Sequence, residues 1–451
     1  MMNRQEAEDY IYFSYLKAEK NQNYSDLDSQ KRHPELSKAI LEKLSCVPNI
    51  IVTGSKGKGS VVVMLTTILQ TQMNVGMMTS PHLTNFCERF KINGINISDE
   101  DFARQVEILL PQFDAIQERL PPDWYLSPIA IQTAVALNYF RKKGTQINVL
   151  ECGKGARYDD VKNVQHDYAV INSIFLEHTR ELGGTLEEIA ADKSYVITGG
   201  QKAVFVADQM PEVMDVIRKR ANHFSVPVKV YGKDFSAEHI SFTHSGMNFD
   251  VRVEDRIYKD ITIPLLGVHQ AKNCALAFAL AQDILGPLNI DEVRNHLHVI
   301  SWQGRMEIIG QNPLMILDAC INRVSCSNVK EVLEYMNISN YSLIVGIPDD
   351  KDFAGVVEEM KDGASSIYLS QSNNPHYIFS DNQSTLLAKI GIRTERTLSA
   401  EEAITLAKLK SYPIIILGTT SFISDVIAIK NLSVSEHDHP KLRSKNSVKK
   451  V

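Results

Sequence analysis

The sequence has no excess of basic residues, no long apolar run and no regular cysteine spacing. Its 451 residues carry a formal net charge of −6, which argues against a nucleic-acid-binding surface, since such surfaces are usually basic. No apolar run approaches the length of a membrane span, and the residues after Met1 lack the apolar core of a signal peptide. The six cysteines show neither metal-ligand nor disulfide spacing. These absences predict a cytoplasmic protein with reduced cysteines and with no membrane or nucleic-acid partner.

A glycine-rich segment between an apolar run and a helical run is the most informative feature that is present. Residues 50–52 are apolar, residues 61–69 have a helical pattern, and the segment between them contains Gly-Ser-Lys-Gly-Lys-Gly-Ser. This order is typical of a phosphate-binding loop, in which glycines let backbone N–H groups approach phosphate oxygens. The lysine would place a charge near the β- and γ-phosphates and the last serine a hydroxyl near a metal. We therefore predict that ATP is bound by Gly54, Ser55, Lys56, Gly57, Lys58, Gly59 and Ser60.

Further motifs follow this loop along the chain. They read Thr-Ser-Pro-His-Leu at 79–83, Leu-Glu-Cys-Gly-Lys-Gly-Ala-Arg at 150–157, Ser-Ile-Phe-Leu-Glu-His-Thr at 173–179, Leu-Glu-Glu-Ile-Ala-Ala-Asp-Lys at 186–193, Leu-Gly-Val-His-Gln at 266–270 and Trp-Gln-Gly-Arg-Met-Glu at 302–307. In this order, and with the compressed spacing of the loop, they resemble the Mur ligase superfamily. Within it they are most similar to the folylpolyglutamate synthase/dihydrofolate synthase branch, of which the chain looks like a divergent member.

Apolar strands alternate with helical patterns over most of the chain, which predicts an α/β protein with parallel sheets. Residues 1–300 are expected to form a P-loop-type doubly wound, ATP-binding domain that begins with helices. A small antiparallel subdomain is expected at about 202–264. Residues 301–432 are expected to form a Rossmann-like C-terminal ligase domain, and residues 433–451 a disordered basic tail.

The resemblance implies a reaction and its partners. The expected enzyme joins a small-molecule carboxylate to an amino acid as an amide, through an acyl phosphate made with ATP. Its cofactors would be ATP and Mg²⁺, with two metal ions, because two anions must approach each other. The chain would act as a monomer or a weak homodimer.

The resemblance also assigns further site residues. Lys58, His178 and Lys193 are the expected catalytic residues, and Asn273, Arg305 and Asp318 are expected ATP contacts. The expected metal ligands are Ser60, Ser80, Glu151, His178 and Lys193, the last as a carbamate. From the residues alone, Glu151 could instead cap a turn, His178 could be a core histidine, and Lys193 could be a surface lysine.

The departures from the family pattern fall in the parts that face the acceptor and the amine. Ile321 stands where the family has histidine, Ala130 stands where it has an acidic residue, and residues 157–163 differ. We therefore expect an acceptor acid other than folate, because removing hydrogen-bonding groups changes substrate preference. A true folylpolyglutamate or dihydrofolate synthase is the first alternative, and a nucleotide-binding, non-catalytic partner subunit is the second.

Overall fold

The chain divides into two units, Met1–Trp302 and Gln303–Val451, in a computed structural model that describes residues 2–20, 27–243 and 246–437. The last helix continues to His437, past the residue where the basic tail was expected to begin. The remainder of that tail lies outside the described residues. No helix among the described residues has the length and apolarity needed to cross a membrane. The cytoplasmic location and the oligomeric state stay predictions.

An eight-stranded sheet forms the centre of the first unit, with the order β4-β3-β2-β5-β1-β6-β7-β8. Six strands pair in parallel, in the order β2, β5, β1, β6, β7 and β8. The remaining two, β3 and β4, form an antiparallel edge beside β2. The central strands are apolar on both faces because helices cover both. The strands are β1 (Asn49–Thr53), β2 (Val75–Met78), β3 (Phe90–Ile92), β4 (Ile95–Asn96), β5 (Ile147–Glu151), β6 (Tyr168–Ile171), β7 (Ala203–Val206) and β8 (Val228–Val230).

Helices pack on both faces of this sheet, and two apolar cores result. One core includes residues of α4 and α10, and the other includes residues of α5, α6, α8 and α9. The helices are α1 (Arg4–Glu19), α2 (Asp28–Lys31), α3 (Lys38–Leu44), α4 (Lys58–Leu69), α5 (Asp99–Gln117), α6 (Pro128–Lys142), α7 (Thr179–Leu182), α8 (Leu186–Lys193), α9 (Pro211–His223), α10 (Val268–Leu285) and α11 (Ile290–Leu297). This arrangement confirms the doubly wound fold that was predicted.

The antiparallel subdomain is smaller than the sequence predicted. It consists of β9 (Phe235–Thr243), β10 (Gly246–Val253) and β11 (Arg256–Ile263), which form a separate three-stranded sheet. The expectation that the subdomain starts near residue 202 was wrong, because β7 and β8 belong to the parallel sheet. Short apolar strands carry no sign of the sheet that they join, whereas the alternating burial along β10 marks a sheet with one face covered.

The second unit contains a six-stranded sheet with the order β12-β13-β17-β14-β15-β16. Only β12 runs antiparallel to its neighbour, so the Rossmann-like α/β prediction is confirmed. The strands are β12 (Glu307–Gln311), β13 (Leu314–Asp318), β14 (Tyr341–Gly346), β15 (Ala364–Leu369), β16 (Glu395–Arg396) and β17 (Ile414–Gly418). The helices are α12 (Arg323–Tyr335), α13 (Phe353–Met360), α14 (Asn382–Lys389), α15 (Ala400–Lys408) and α16 (Thr420–His437).

A buried carboxylate, Asp160, ties three segments of the first unit together. Ser37 Oγ donates to Asp160 Oδ1 at 2.7 Å, and the hydroxyl of Ser127, which caps α6, donates to Oδ2. Burial raises the pKa of Asp160 to about 6, and the two serine hydroxyls oppose that effect. The folded protein therefore holds a proton on this group at a pH where the unfolded chain has released it.

We predict that Asp160 makes the free energy of unfolding depend on pH. The variant Asp160→Asn should lose this pH dependence. The folded-state pKa lies above the ordinary value of 3.8, so this stabilisation is complete below about pH 4 and is lost as the pH rises through about 6. The free energy of unfolding of the wild type, relative to Asp160→Asn, should fall by about 3 kcal/mol over this range. Urea titrations at each pH measure it. The exposed Asp215→Asn is the control, and a constant difference between wild type and Asp160→Asn would contradict the prediction.

Candidate active site

Three neighbouring strands, β5, β1 and β6, end at one edge of the large sheet, and the glycine-rich loop follows the middle one. The loop follows β1, whose Val52 pairs with Glu151 of β5 on one side. On the other side, Thr53 pairs with Ile171 of β6. The carboxyl ends of parallel strands are where open α/β sheets bind ligands. The register therefore brings together side chains that lie far apart in the sequence.

Two glycines give the loop its path beside β6. Gly54 and Gly57 have φ angles of +141° and +74°, which side chains with a Cβ rarely adopt. A Cβ at Gly54 would lie 2.8 Å from the Cβ of Asn172, and one at Gly57 would lie 2.4 Å from its Nδ2. The loop is thus packed against Asn172, and Gly57 is the N-cap of α4. A helix N-terminus with unpaired N–H groups is suited to an anion such as phosphate.

Two lysines donate to the same backbone carbonyl of the loop. Lys58 Nζ lies 3.0 Å from the oxygen of Gly54, and Lys193 Nζ lies 3.1 Å from it. Lys193 is fully buried and also contacts Glu177 Oε1 at 2.9 Å and the carbonyl oxygen of Lys154 at 2.8 Å. Burial lowers the pKa of Lys193, Glu177 opposes this, and the neighbouring Lys58 adds to it. Lys193 is therefore no surface lysine, whereas its carbamylation stays a prediction.

The remaining loop residues are fixed by contacts on both sides. Ser55 Oγ donates to the carbonyl of Phe175 and accepts from its N–H, both at 3.2 Å. A Cβ at Gly59 would lie 2.6 Å from Cζ2 of Trp302, so the indole covers this glycine. Lys56 is half-buried, and Ser60 is buried in the first turn of α4. The sequence did not indicate the packing of Trp302 on the loop.

Two of the expected metal ligands, Glu151 and Ser80, contact each other at the same edge. Glu151 is buried, and its Oε2 accepts the N–H of the half-buried Ser80 at 3.0 Å. His178 is exposed at the start of α7 and has a φ of +46°, a conformation that is uncommon outside glycine and clusters at functional sites. Among the described residues, no three His, Cys, Asp or Glu side chains form a group that could hold a metal. One carboxylate with hydroxyls fits Mg²⁺, which keeps waters and shares substrate phosphates, better than a metal held by protein side chains alone.

Asn273 reaches the loop through a residue that the sequence did not indicate. Its Oδ1 accepts from Asn172 Nδ2 at 2.9 Å, and its own Nδ2 donates to Gln270 at 3.1 Å. Asn172 directly follows β6, and this position after a buried strand was the one signal that could have pointed to it. Asn273 is thus placed at the phosphate loop, and the contact with ATP stays a prediction.

The expected residues of the second unit are neighbours within that unit. Asp318 ends β13 and accepts the N–H of Met306 at 2.9 Å, and Arg305 Nη1 lies 3.0 Å from the carbonyl oxygen of Gly304. Met306 has a φ of +44°, so the turn that carries Arg305 is strained. The contact of Arg305 and Asp318 with ATP stays a prediction.

The comparison with known protein families and sequences gives a consistent result. The Mur ligase middle domain model matches residues 52–281. The chain is 30% identical over 335 residues to dihydrofolate synthase/folylpolyglutamate synthase of Bacillus subtilis, covering 72% of this chain and 76% of the relative. It is 26% identical over 325 residues to folylpolyglutamate synthase of Lacticaseibacillus casei, with 71% and 76% covered.

Solved structures share the fold over most of the chain. Folylpolyglutamate synthase of Mycobacterium tuberculosis, complexed with ADP and AMPPCP, has a TM-score of 0.84 at 22% identity and covers 93% of this chain and 99% of its own. Folylpolyglutamate synthase of Thermotoga maritima has a TM-score of 0.78 at 25% identity, with 89% and 94% covered. The family match, the sequence identity over most of both chains and the common fold all indicate the same family. The chain therefore belongs to the Mur ligase superfamily, in its folylpolyglutamate synthase/dihydrofolate synthase branch, and is an ATP-dependent, ADP-forming ligase that makes C–N bonds.

Proposed function

We propose that this ligase adds glutamate to a folate-type carboxylic acid. The observation that carries the proposal is that Lys58 and Lys193 both donate to the Gly54 carbonyl. This carbonyl follows β1, which pairs with the strand that ends at Glu151. Relatives with the names folylpolyglutamate synthase and dihydrofolate synthase match most of the chain. They support a folate acceptor more than the different acid expected from the sequence, and they favour an enzyme over a non-catalytic partner.

The proposed reaction has two steps, and the loop residues act in the first. The acceptor carboxylate attacks the γ-phosphorus of ATP, the bond to the β-phosphate oxygen breaks, and ADP leaves. The glutamate nitrogen then attacks the acyl phosphate, inorganic phosphate leaves, and the nitrogen loses a proton as the amide forms. Lys58 and the N–H groups at the start of α4 offset the charge that builds on the transferred phosphoryl group. Such groups are effective because the loop geometry is fixed before the substrate arrives.

Mg²⁺ would be held by residues of α4 and of the segments at the ends of β2, β5 and β6. Glu151 supplies the carboxylate, Ser60 and Ser80 supply hydroxyls, and His178 supplies a nitrogen. When bound, the metal would reduce the repulsion between the carboxylate and the triphosphate. The position of Glu151 on the strand next to β1 supports this assignment.

A different acceptor acid is the second candidate, and two residues favour it. Ala130 is buried in the first turn of α6, where the family pattern has an acidic side chain, and Ile321 cannot donate a hydrogen bond. The deciding experiment measures phosphate release from ATP across a panel of acids and amino acids, with mass spectrometry of the amide formed. Efficient glutamylation of a reduced folate supports the first candidate. An amide from another pair, with folate inert, supports the second.

We predict that Lys58→Ala lowers ATP turnover by about 100-fold or more while the protein stays folded. The variant removes the loop cation that we propose to offset the charge that builds on the transferred phosphoryl group. Phosphate release measures the loss, and circular dichroism checks the fold. Lys142→Ala, an exposed lysine at the end of α6, is the matched control. Near-normal turnover by a folded Lys58→Ala protein would remove the phosphate-binding assignment.

We predict that Glu151→Gln loses divalent-metal binding together with activity. The amide oxygen can still accept the N–H of Ser80, so the backbone contact survives while the negative charge disappears. Binding of Mn²⁺ in the presence of ADP, followed by electron paramagnetic resonance, should weaken by about 10-fold or more. The exposed Glu118→Gln serves as the control. Unchanged Mn²⁺ affinity, or full activity in EDTA, would show that the metal assignment is mistaken.

We predict that Lys193→Ala is inactive and is partly rescued by a small carboxylate such as acetate. The reason is that the expected carbamate is an anionic ligand, which a free carboxylate can replace in the space left by the side chain. Methylamine at the same concentration is the control, because it would replace a cation. Rescue by methylamine and not by acetate would mean that Lys193 acts as an ammonium group, paired with Glu177.

A further inference from the structure

Three basic side chains surround the ring of Tyr195 on the first unit. The guanidinium carbon of Arg220 lies 4.1 Å from the ring centroid, that of Arg157 lies 5.1 Å from it, and Lys162 Nζ lies 5.7 Å from it. Arg157 is also 5.4 Å from the ring of Tyr158. Arg157 is exposed, and Lys162 and Arg220 are half-buried. We call Arg157, Lys162 and Arg220 the basic cluster.

The side chains of the basic cluster contact backbone carbonyls and aromatic rings. Among the residues that the structure describes, none of its three side chains pairs with a carboxylate. Arg220 Nε donates to the carbonyl of Ile197 at 3.0 Å, and Lys162 Nζ donates to the carbonyl of Arg157. Burial lowers the pKa of Arg220, the hydroxyl of Tyr195 opposes this effect, and the charge of Arg157 adds to the lowering. The contacts with aromatic rings offset only part of the mutual repulsion of these cations.

Four acids act on Lys162 of the basic cluster, of which Asp159, Asp160 and Asp192 are buried and Glu35 is exposed. Asp160, Asp159 and Asp192 raise the pKa of Lys162 against the larger effect of burial, which lowers it. Asp192 accepts the N–H groups of Ala156 and Arg157, and Asp159 accepts those of Gly153 and Val161. Asp160 is bonded to its two serines. These three buried carboxylates are hydrogen-bonded within the protein, and none of them forms a salt bridge with Arg157, Lys162 or Arg220.

The basic cluster is linked to the phosphate loop through consecutive residues. Asp192 holds the backbone of Arg157, and the next residue, Lys193, donates to the Gly54 carbonyl. The segment that carries Arg157 follows β5, whose last residue is Glu151. Arg157 is therefore the member of the cluster that is linked to the proposed reaction site, whereas Arg220, in the last turn of α9, contacts the carbonyl of Ile197 on the segment that leads to β7.

We propose that the basic cluster binds the carboxylates of a γ-glutamyl chain carried by the acceptor. This inference rests on the proposed function, which makes such a chain the product and the next acceptor. Each γ-linked glutamyl residue carries one α-carboxylate, so the chain is a flexible polyanion with regularly spaced charges. Guanidinium groups pair with carboxylates in a two-point geometry, and several weak pairs along one chain act together. The carboxylates supply the charge partners that the cluster lacks within the protein.

Two measurements test the proposal, and the first does not require catalysis. A fluorescent tetra-γ-glutamate peptide without a pterin is titrated with the full-length protein at low salt, and its anisotropy is followed. The second measurement gives KM for folate acceptors that carry one or four glutamyl residues. Both are made with wild type, Arg157→Gln, Arg157→Lys and the control Arg218→Gln. Arg157 is exposed, so its replacement does not disturb the core, and Arg218 is an exposed arginine of α9, the helix that carries Arg220.

We expect Arg157→Gln to weaken peptide binding about 10-fold, which is the effect of losing one charge-assisted pair. KM for the tetraglutamyl acceptor should rise by a similar factor and kcat should change little, while KM for the monoglutamyl acceptor rises much less. Arg157→Lys should recover part of the affinity, and Arg218→Gln should behave like the wild type.

Equal effects of Arg157→Gln at both chain lengths, or peptide binding that matches the wild type, would overturn the proposal. Folate ligation that proceeds without any dependence on Arg157 refutes the site and leaves the proposed function standing. Conversely, peptide binding that needs Arg157, in a protein that does not ligate folate, supports the site and refutes the proposed function.

Discussion

The carbonyl oxygen of Gly54 is the point on which the candidate site depends. It accepts from Lys58, which begins the helix after the loop, and from Lys193, which ends a helix far along the chain. Lys193 then reaches Glu177 and the carbonyl of Lys154, so one buried side chain connects three loops. A buried ammonium without such partners would be strongly unfavourable. The loop, the segment after β5 and the segment after β6 are therefore held as one structure.

The parallel sheet supplies the frame for that connection. Adjacent strands β5, β1 and β6 end in register, which places Glu151 and Asn172 on either side of the loop. Glycine is needed at two positions because Asn172 occupies the space that a Cβ would take. The composition of the loop thus follows from its packing as well as from its affinity for phosphate.

The residues that we predict to carry out the reaction differ from those that we predict to select the acceptor. The residues that we predict to bind phosphate and metal match the family pattern, whereas Ala130, Ile321 and the segment around Asp160 depart from it. The altered segment contains the buried carboxylate of Asp160. Ser37 and Ser127 supply the hydrogen bonds that this carboxylate requires. The basic cluster lies beside this altered segment. A change in the preferred acceptor acid is therefore compatible with a phosphate-binding loop that keeps the family pattern.

The sequence by itself determined the fold class, the phosphate loop and the identity of most candidate residues, because these depend on local pattern and on motif order. It could not indicate that β7 and β8 join the parallel sheet, since short apolar strands look alike whichever sheet they enter. Nor could it indicate Asn172, the packing of Trp302 on Gly59, or the meeting of Arg157 and Arg220 at Tyr195. Those contacts join residues separated by long stretches of chain. Only the tertiary structure decided them, because strand register and helix packing, and not local sequence, set which distant side chains share a space.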